Sequence, residues 1–370
     1  MDMAMMRLRR EDPRVVGSFR LHRRLGAGGM GVVYLGSDRR GQRVALKVIR
    51  PDLAEDPEFR SRFAREVSAA RRIRGGCTAR LVAADLDAAK PWFATQYVPG
   101  PSLHDRVATE GSLAAAETAA IGAALAEGLV AVHEAGVVHR DLKPSNILLS
   151  PKGPRIIDFG IAWSTGASTL THVGTAVGSP GFLAPEQVRG VAVTPATDVF
   201  SLGATLAHAA LGESPFGEGS SEVLLYRVVH EEAQLRGVPA ALEPLLRACL
   251  AKQPDERPTT MQLSLRLKEI ATREARGAGL GMQRQAAAVA PRDTPAATVL
   301  RRPAPDRPAQ RRPGAPSRPG TPQRRRPAPG PRPRQRGVDR RLLRQRLVVF
   351  VTVTLLVALG IAAAQGQSPL

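Results

Sequence analysis

Apolar and polar residues alternate along the chain between residues 19 and 48, and glycines interrupt the alternation. Successive side chains of a β-strand point to opposite faces, so this period of two predicts three antiparallel strands. Two shorter apolar runs between residues 77 and 98 predict two further strands. The amino-terminal quarter of the chain is therefore expected to be rich in β-structure.

Helical periodicity replaces this alternation in the middle of the chain. Apolar residues recur at the 3.6-residue spacing of a helix within residues 52–74, and an alanine-rich amphipathic run covers residues 113–135 before Gly136, a typical helix stop. Residues 198–211 and 261–273 continue the helical pattern. The middle of the chain is therefore expected to be mainly helical.

The pattern of apolar residues ends in a tail of very different composition. Residues 291–340 contain 13 Pro and 14 Arg, with almost no large apolar residues, and cannot bury enough surface to fold. Residues 274–340 are therefore predicted to form a disordered linker. Residues 291–370 hold 17 Arg, no Lys and 3 Asp, which is +14 of the net +20, so the first 290 residues carry only +6. Nucleic-acid binding by the folded part is not expected.

A membrane span is predicted at residues 347–364, which form 18 uncharged and mostly apolar residues. The basic residues lie before it, at 341–346, so the larger part of the chain is expected in the cytoplasm, with residues 365–370 outside. A buried C-terminal core helix is the alternative, although the linker separates this stretch from any core. The linker itself is either a soluble tether or a contact for anionic lipids.

The amino-terminal residues and the two cysteines of the chain disfavour some classes of protein. Residues 1–18 form an extension that lacks the apolar core of a signal peptide. Cys77 and Cys249 are far apart and fit neither a metal-binding spacing nor a disulfide framework. Both are expected to be small buried side chains in a reducing compartment.

The candidate chemistry is concentrated in residues 139–146, His-Arg-Asp-Leu-Lys-Pro-Ser-Asn. This stretch combines a base, an acid and a metal-ligating amide, and its Asn146 is the single asparagine of the chain. Asp158 begins an Asp-Phe-Gly sequence twelve residues later. We interpret residues 139–146 as an active-site loop, rather than as a charged surface turn.

A glycine motif precedes this loop. Gly26, Gly28 and Gly31 form G-x-G-x-x-G, which has little weight alone in a chain with 35 glycines. Here it lies between two predicted strands, ahead of the sequence Val-Ala-Leu-Lys that ends at Lys47. Glycines let backbone N–H groups approach phosphates closely.

Together these motifs resemble those of the eukaryotic-like, or Hanks-type, serine/threonine protein kinases of bacteria. The resemblance implies an α+β, two-lobed kinase fold over residues 19–273, with an N-lobe at 19–98 and a C-lobe at 101–273. It implies Mg-ATP as cofactor, with Mn²⁺ as an alternative, and proteins with Ser or Thr as substrates.

The resemblance also implies individual roles. Asp141 would accept the proton of the substrate hydroxyl, Lys143 would steady the phosphoryl group, and Asn146 and Asp158 would hold magnesium. Lys47 would contact phosphates and pair with Glu66, for which Glu58 is the rival. The implied nucleotide-binding positions are Gly26, Gly28, Gly31, Val33, Ala45, Lys47, Gln96 and Val98, with Thr95 as gatekeeper.

Regulation and support are implied by further motifs. Residues 161–183 resemble an activation segment, whose phosphorylation would order it through Arg140. The candidate phosphorylation sites are Thr169, Thr171 and Thr175. Asp198 would brace the catalytic loop, and Arg257 would pair with Glu186. The linker is long enough for two kinase domains to meet and phosphorylate each other.

Two other functions remain open from the sequence. One is a membrane-tethered scaffold with a catalytically inactive kinase fold, which the intact motif residues disfavour. The other is a small-molecule phosphotransferase, which the long segment closing at Ala-Pro-Glu, residues 184–186, disfavours.

Overall fold

The computed structural model of the protein describes residues 6–73, 77–158 and 180–289. A β-sheet lobe comes first in the chain and a helical lobe follows. The two-lobed α+β fold implied by the sequence motifs is therefore confirmed for the described residues.

An antiparallel sheet of seven strands forms the first lobe. Its strands are β1 (Met6–Arg7), β2 (Val15–Val16), β3 (Phe19–Gly28), β4 (Gly31–Ser37), β5 (Arg43–Ile49), β6 (Leu81–Asp85) and β7 (Trp92–Gln96). The order is β1-β3-β4-β5-β7-β6, and β2 also pairs with β3. The five strands predicted between residues 19 and 98 are thus confirmed.

The sheet begins before residue 19, where the kinase domain was expected to start. Strands β1 and β2 both pair with β3. Between them, the buried Asp12 accepts a hydrogen bond from the Tyr34 hydroxyl at 2.8 Å and lies 3.2 Å from Nε of Arg24. Burial and the bond to Asp12 raise the pKa of Tyr34 to about 12. Strands of two residues are too short to show the alternation that marks a strand, so the sequence pattern did not predict them.

A proline divides the helix that was predicted over residues 52–74. The structure has two helices here, α1 (Pro51–Ala54) and α2 (Pro57–Ala70). Pro57 lacks an N–H donor and occupies the first turn of α2, after Asp56, whose side chain accepts from the N–H of Glu58 at 2.9 Å. The apolar face of α2 packs against the sheet.

The second lobe contains a hairpin and seven helices in the described part of the chain. They are α3 (Leu103–Glu110), α4 (Ala115–Glu134), β8 (Ile147–Ser150), β9 (Gly153–Ile156), α5 (Pro185–Val188), α6 (Pro195–Leu211), α7 (Ser221–His230), α8 (Glu243–Cys249) and α9 (Thr260–Val289). Helix α4 is long and apolar enough to cross a bilayer, but its apolar residues contribute to the core of this lobe.

Two glycines allow the core helices to approach closely. A Cβ at Gly122 of α4 would lie 2.7 Å from Leu206, and a Cβ at Gly203 of α6 would lie 2.6 Å from Cys249 Cβ. Cys249 is fully buried and Cys77 partly buried, and both are free thiols. The central helices therefore pack at distances that exclude larger side chains.

Helix α9 is longer than predicted. It continues to Val289, whereas the sequence pattern predicted a helix end at Arg273 and a linker from residue 274. Residues 274–289 lack proline and contain five alanines, which favour helix over coil. The start of the predicted linker was therefore wrong. The rest of the linker, the predicted span at 347–364 and its flanking segments lie outside the described residues.

Candidate active site

The loop at residues 139–146 connects α4 to strand β8, and a buried carboxylate holds its backbone. Asp198, at the start of α6, accepts the N–H groups of His139 and Arg140, each at 2.8 Å. Arg140 has a φ of 67°, which is unfavourable for a residue with a side chain and needs such support. The bracing role implied for Asp198 is confirmed by this geometry.

A second histidine, which the sequence motifs did not indicate, supports the same carboxylate. His133 on α4 contacts Asp198 at 2.8 Å through Nε2 and Thr260 Oγ1 at 2.9 Å through Nδ1. It belongs to no kinase motif named above. Its place in the last turn of an otherwise apolar helix was the only available sequence signal.

His139 is fully buried, and its hydrogen bonds fit a neutral ring. Its Nδ1 lies 3.3 Å from the N–H of Asp141, and its Nε2 lies 3.3 Å from the carbonyl of Ile157. Burial lowers the pKa of His139, so the imidazole accepts the first bond and donates the second. The ring therefore links the catalytic loop to the strand end before Asp158.

The carboxylate of Asp141 is the centre of the loop. Lys143 Nζ donates to both of its oxygens at 2.9 Å, and Asn146 Nδ2 donates to Oδ2 at 2.9 Å and to the backbone carbonyl at 2.8 Å. Asn146 Oδ1 receives no hydrogen bond from the described residues. It is therefore available to a cation, and carboxamide oxygen is a ligand type that Mg²⁺ accepts.

Asp158 lies beside this loop. The N–H of Ile157 donates to the carbonyl of Asn146 at 2.9 Å, and the Asp158 carboxylate lies 3.6 Å from Nζ of Lys47 on β5. Lys47, Asp141, Asn146 and Asp158 are thus brought to one region from two lobes. The side chains of Asn146 and Asp158 offer hard oxygen ligands and fit the implied magnesium.

The expected pair between Lys47 and Glu66 is absent from the described residues. Glu66 of α2 instead lies 3.2 Å from Nη1 of Arg140, and Lys47 pairs with Asp158. Glu66 thus contacts the catalytic loop directly, whereas Glu58 is exposed in the first turn of α2. The predicted Lys47 partner was wrong because the position of α2 relative to the loop decides which cation Glu66 reaches.

The glycine motif lies at the tip of the β3–β4 hairpin. Gly28 pairs with Gly31, and Gly26 pairs with Val33, which in turn pairs with Lys47 on β5. A Cβ at Gly26 or Gly28 would meet no atom within 4 Å, whereas one at Gly31 would collide with the carbonyl oxygen of Val48. The hairpin is therefore open where phosphates would lie and tightly packed on its sheet side.

The segment expected to bind adenine follows β7. Ala45 pairs with Thr95, whose hydroxyl lies 3.5 Å from the Ala45 carbonyl. The N–H of Gln96 donates to Arg80, and the N–H of Val98 has no backbone acceptor among the described residues. The Val98 N–H is therefore free to donate to a purine nitrogen, as the motif resemblance implied.

Helix α5, which we call the platform, follows the active-site loop in the chain and is held by a buried ion pair. Arg257 donates to Glu186 at 2.7 and 2.9 Å, which confirms the predicted pair, and both side chains are buried. Burial raises the pKa of Glu186, but bonds from Arg257 and Thr197 outweigh this effect and hold it below its ordinary value. Gln187 donates to the Arg140 carbonyl at 2.8 Å, which joins the platform to the catalytic loop.

Some predicted site features cannot be placed. Phe159, Gly160 and the activation-segment candidates Thr169, Thr171 and Thr175 lie outside the described residues. Within the described part of the chain, no group of three or more His, Cys, Asp or Glu side chains is arranged to hold a metal. A cation at this site would therefore need oxygens of a bound ligand in addition to Asn146 and Asp158.

Comparison with known proteins identifies the family. The protein kinase domain family matches residues 19–266. The chain is 47% identical over 256 residues to the probable serine/threonine-protein kinase PkwA of Thermomonospora curvata, covering 69% of this chain and 34% of the relative. It is 36% identical over 248 residues to serine/threonine-protein kinase PknB of Mycobacterium tuberculosis, covering 63% and 39%.

A solved structure agrees with this relationship. The kinase domain of Mycobacterium tuberculosis PknI matches with a TM-score of 0.57 and 27% identity, covering 70% of this chain and 98% of that domain. The chain spans about a third of the length of the first curated relatives. The site geometry, the family match over most of the chain and the structural match agree, so the chain belongs to the protein kinase family.

Proposed function

We propose that this protein is a serine/threonine protein kinase that transfers the γ-phosphoryl group of Mg-ATP to protein hydroxyls. The observation that carries the proposal is the cluster in which Lys143 and Asn146 hold Asp141 beside Asp158 and Lys47. Carboxylates that can accept a proton or hold a metal ion are here close to lysines that can hold phosphate, which supports phosphoryl transfer.

The roles follow from these positions. Asp141 accepts the proton of the attacking Ser or Thr hydroxyl as its oxygen bonds to phosphorus, and ADP leaves. Lys143, whose Nζ lies 2.9 Å from both oxygens of this carboxylate, steadies the transferred phosphoryl group, and Lys47 holds the phosphates from the other lobe. Asn146 and Asp158 would hold a magnesium ion, which would supply positive charge against the phosphates. Positioning and charge stabilisation therefore supply the catalysis.

The preference for Ser and Thr rests on two observations. Lys143 stands two residues after Asp141, a feature of kinases that modify Ser and Thr. Relatives 46–47% identical over the kinase domain are named as serine/threonine-protein kinases.

A transfer assay separates this function from its rivals. Full-length protein is incubated with γ-labelled ATP, Mg²⁺ and a generic protein acceptor, and labelled amino acids are identified after hydrolysis. We expect phosphoserine or phosphothreonine and matching release of ADP. Label confined to small molecules would favour a small-molecule phosphotransferase, and no label would favour a scaffold.

We also propose that phosphorylation of Thr169, Thr171 or Thr175, by a second copy of the chain, regulates the site. Glu66 already occupies Arg140, so an added phosphate would compete with that carboxylate for the same guanidinium. Mass spectrometry of active protein and of the Asp141→Asn variant tests this. The proposal is supported if these threonines carry phosphate in the active protein but not in the Asp141→Asn variant. It is contradicted if they carry no phosphate in the active protein.

The proposed location is a membrane, with the kinase unit in the cytoplasm. The support is the uncharged stretch at 347–364 and the arginines that precede it. Leu356→Arg places a charge mid-span and is expected to release the protein from carbonate-washed membranes, whereas Leu343→Arg, outside the span, is expected to retain it. Release of the unaltered chain by the same wash would contradict an integral span.

A further inference from the structure

The net positive charge of the folded unit is confined to the first strands of its sheet. Residues 6–43 contain ten arginines and three acidic residues. Residues 44–290 contain 26 basic and 26 acidic residues, so they are neutral overall. The first strands therefore carry a net positive charge, whereas the charges of residues 44–290 cancel in sum.

Most of these arginines have no partner in the described structure. Eight are exposed and form no ion pair or side-chain hydrogen bond with described residues: Arg7, Arg10, Arg14, Arg20, Arg23, Arg39, Arg40 and Arg43. We call these eight residues the arginine face. The acidic residues nearby are already engaged: Asp12 with Arg24, Glu11 with Arg9, and Asp38 with backbone N–H groups of its own turn.

The strand register puts part of the arginine face on one side of the sheet. Arg20 pairs with Ser37, and Ser37 pairs with Arg43, so all three side chains point the same way. Their neighbours Phe19 and Leu21 point the opposite way and are buried. Since strands are about 4.8 Å apart, Arg20 and Arg43 are separated by about 10 Å across the outer surface.

The arginine face is remote from the nucleotide-binding end of the hairpin. Arg20 and Ser37 lie at the open end of the β3–β4 hairpin, and Gly28 and Gly31 form its closed end. At about 3.3 Å per residue, eight residues of strand separate the two ends by about 25 Å. A ligand bound to Arg20 and Arg43 would therefore leave the glycine turn accessible.

We propose that the arginine face binds the anionic headgroups of a lipid membrane. The inference rests on the proposed anchoring, which would keep the unit within reach of an anionic leaflet. Guanidinium groups bind phosphate oxygens through paired hydrogen bonds, and a flat array of them matches a plane of headgroups. Val15, in the same cross-strand row as Arg20, is 60% exposed and adds an apolar contact.

The aromatic residues of these strands favour a membrane over nucleic acid. Single-stranded nucleic acids are bound by stacking bases on exposed aromatic rings. The Phe, Tyr and Trp side chains of residues 6–43 are Phe19 and Tyr34, and each is only 3% exposed. The arginine face therefore offers charge without an exposed Phe, Tyr or Trp ring on which bases would stack.

Arginine modification in lipid nanodiscs tests the proposal. The full chain is reconstituted in discs of neutral phosphatidylcholine or of phosphatidylcholine with phosphatidylserine, and phenylglyoxal adducts are mapped by mass spectrometry. We expect Arg20, Arg39, Arg40 and Arg43 to react several-fold more slowly in anionic discs, with the difference lost at high salt because exposed charges are screened. Arg236, exposed and unpaired among described residues of the other lobe, should react equally in both.

Two triple variants that remove the same amount of charge test whether the arginine face itself makes the contact. Replacing Arg20, Arg23 and Arg43 with Gln should abolish the protection of Arg39 and Arg40. Replacing Arg236, Arg273 and Arg276 with Gln removes the same charge from exposed positions and should preserve it. Equal reaction in both discs, or protection only by added nucleic acid or an acidic protein, would overturn the proposal. Should the chain leave neutral discs, anchoring has failed, and flotation with anionic vesicles then compares the two triple variants, which share the same +14 at residues 291–370. Weaker flotation of the variant changed at Arg20, Arg23 and Arg43 supports the arginine face, and equal flotation overturns it.

Discussion

At the scale of single residues, the site consists of carboxylates whose positions are fixed by donors. Asp141 is held by Lys143 and Asn146, and Asp158 lies near Lys47. These residues could be named from the sequence because their motifs resemble those of protein kinases, and a motif has set residue types at set spacing. The partner of Glu66 was not predictable, since it depends on how a distant helix docks against that loop.

Lys47 gives a direct test at this scale. Lys47→Ala removes the cation that faces Asp158 and would hold phosphate, so we expect a loss of about 10²–10³-fold in phosphate transfer. Steady-state assays with saturating and limiting ATP measure it. Lys90→Ala, an exposed lysine of the same lobe, is the control and should transfer at the rate of the unaltered protein. Equal rates for both variants would exclude a role for Lys47.

At the scale of helices and strands, periodicity predicted which elements exist, while backbone chemistry set their ends. Pro57 divides one predicted helix, and the proline-free stretch before Pro291 extends another. Strands β1 and β2 were missed because two residues carry no periodic signal. The sequence did not predict the close helix packing either, because it does not show how near other atoms lie to a glycine.

Gly203 and Gly277 are both helical glycines, but Gly203 has crowded surroundings and Gly277 has open ones, so their alanine variants can be compared. Gly203→Ala would push a methyl group against Cys249 and should destabilise the fold by about 1–3 kcal/mol. Gly277→Ala, in α9 with no atom within 4 Å of the new Cβ, should stabilise by about 0.5–1 kcal/mol because alanine favours helix. Chemical denaturation measures both. Changes of the same sign would contradict the packing described.

Asp12 tests whether the amino-terminal strands are integral to the sheet. Asp12→Ala removes the partner of the buried Arg24 and of the Tyr34 hydroxyl, and should cost about 3–5 kcal/mol. Thermal unfolding measures the loss. Glu11→Ala, at the neighbouring exposed position, should change stability by less than about 0.5 kcal/mol. A similarly small loss of stability in both variants would show that strands β1 and β2 are not an integral part of the sheet.

At the scale of the whole molecule, the chain divides into parts of different net charge. Residues 44–290 are neutral overall, residues 6–43 are basic, and residues 291–370 carry +14. The sequence predicted the basic tail, because composition alone reveals it. It did not predict the arginine face, which requires the strand register that aligns Arg20 with Arg43.

The central claim is that Asp141 serves as the base of a phosphoryl transfer from ATP to a protein hydroxyl. The most direct measurement is labelled phosphate incorporation by Asp141→Asn, with ATP binding measured by calorimetry and the exposed Asp255→Asn as control. We predict a loss of about 10²–10⁴-fold for Asp141→Asn with ATP binding retained, and an unaltered rate for Asp255→Asn. Incorporation by Asp141→Asn at the rate of the unaltered protein would contradict the claim.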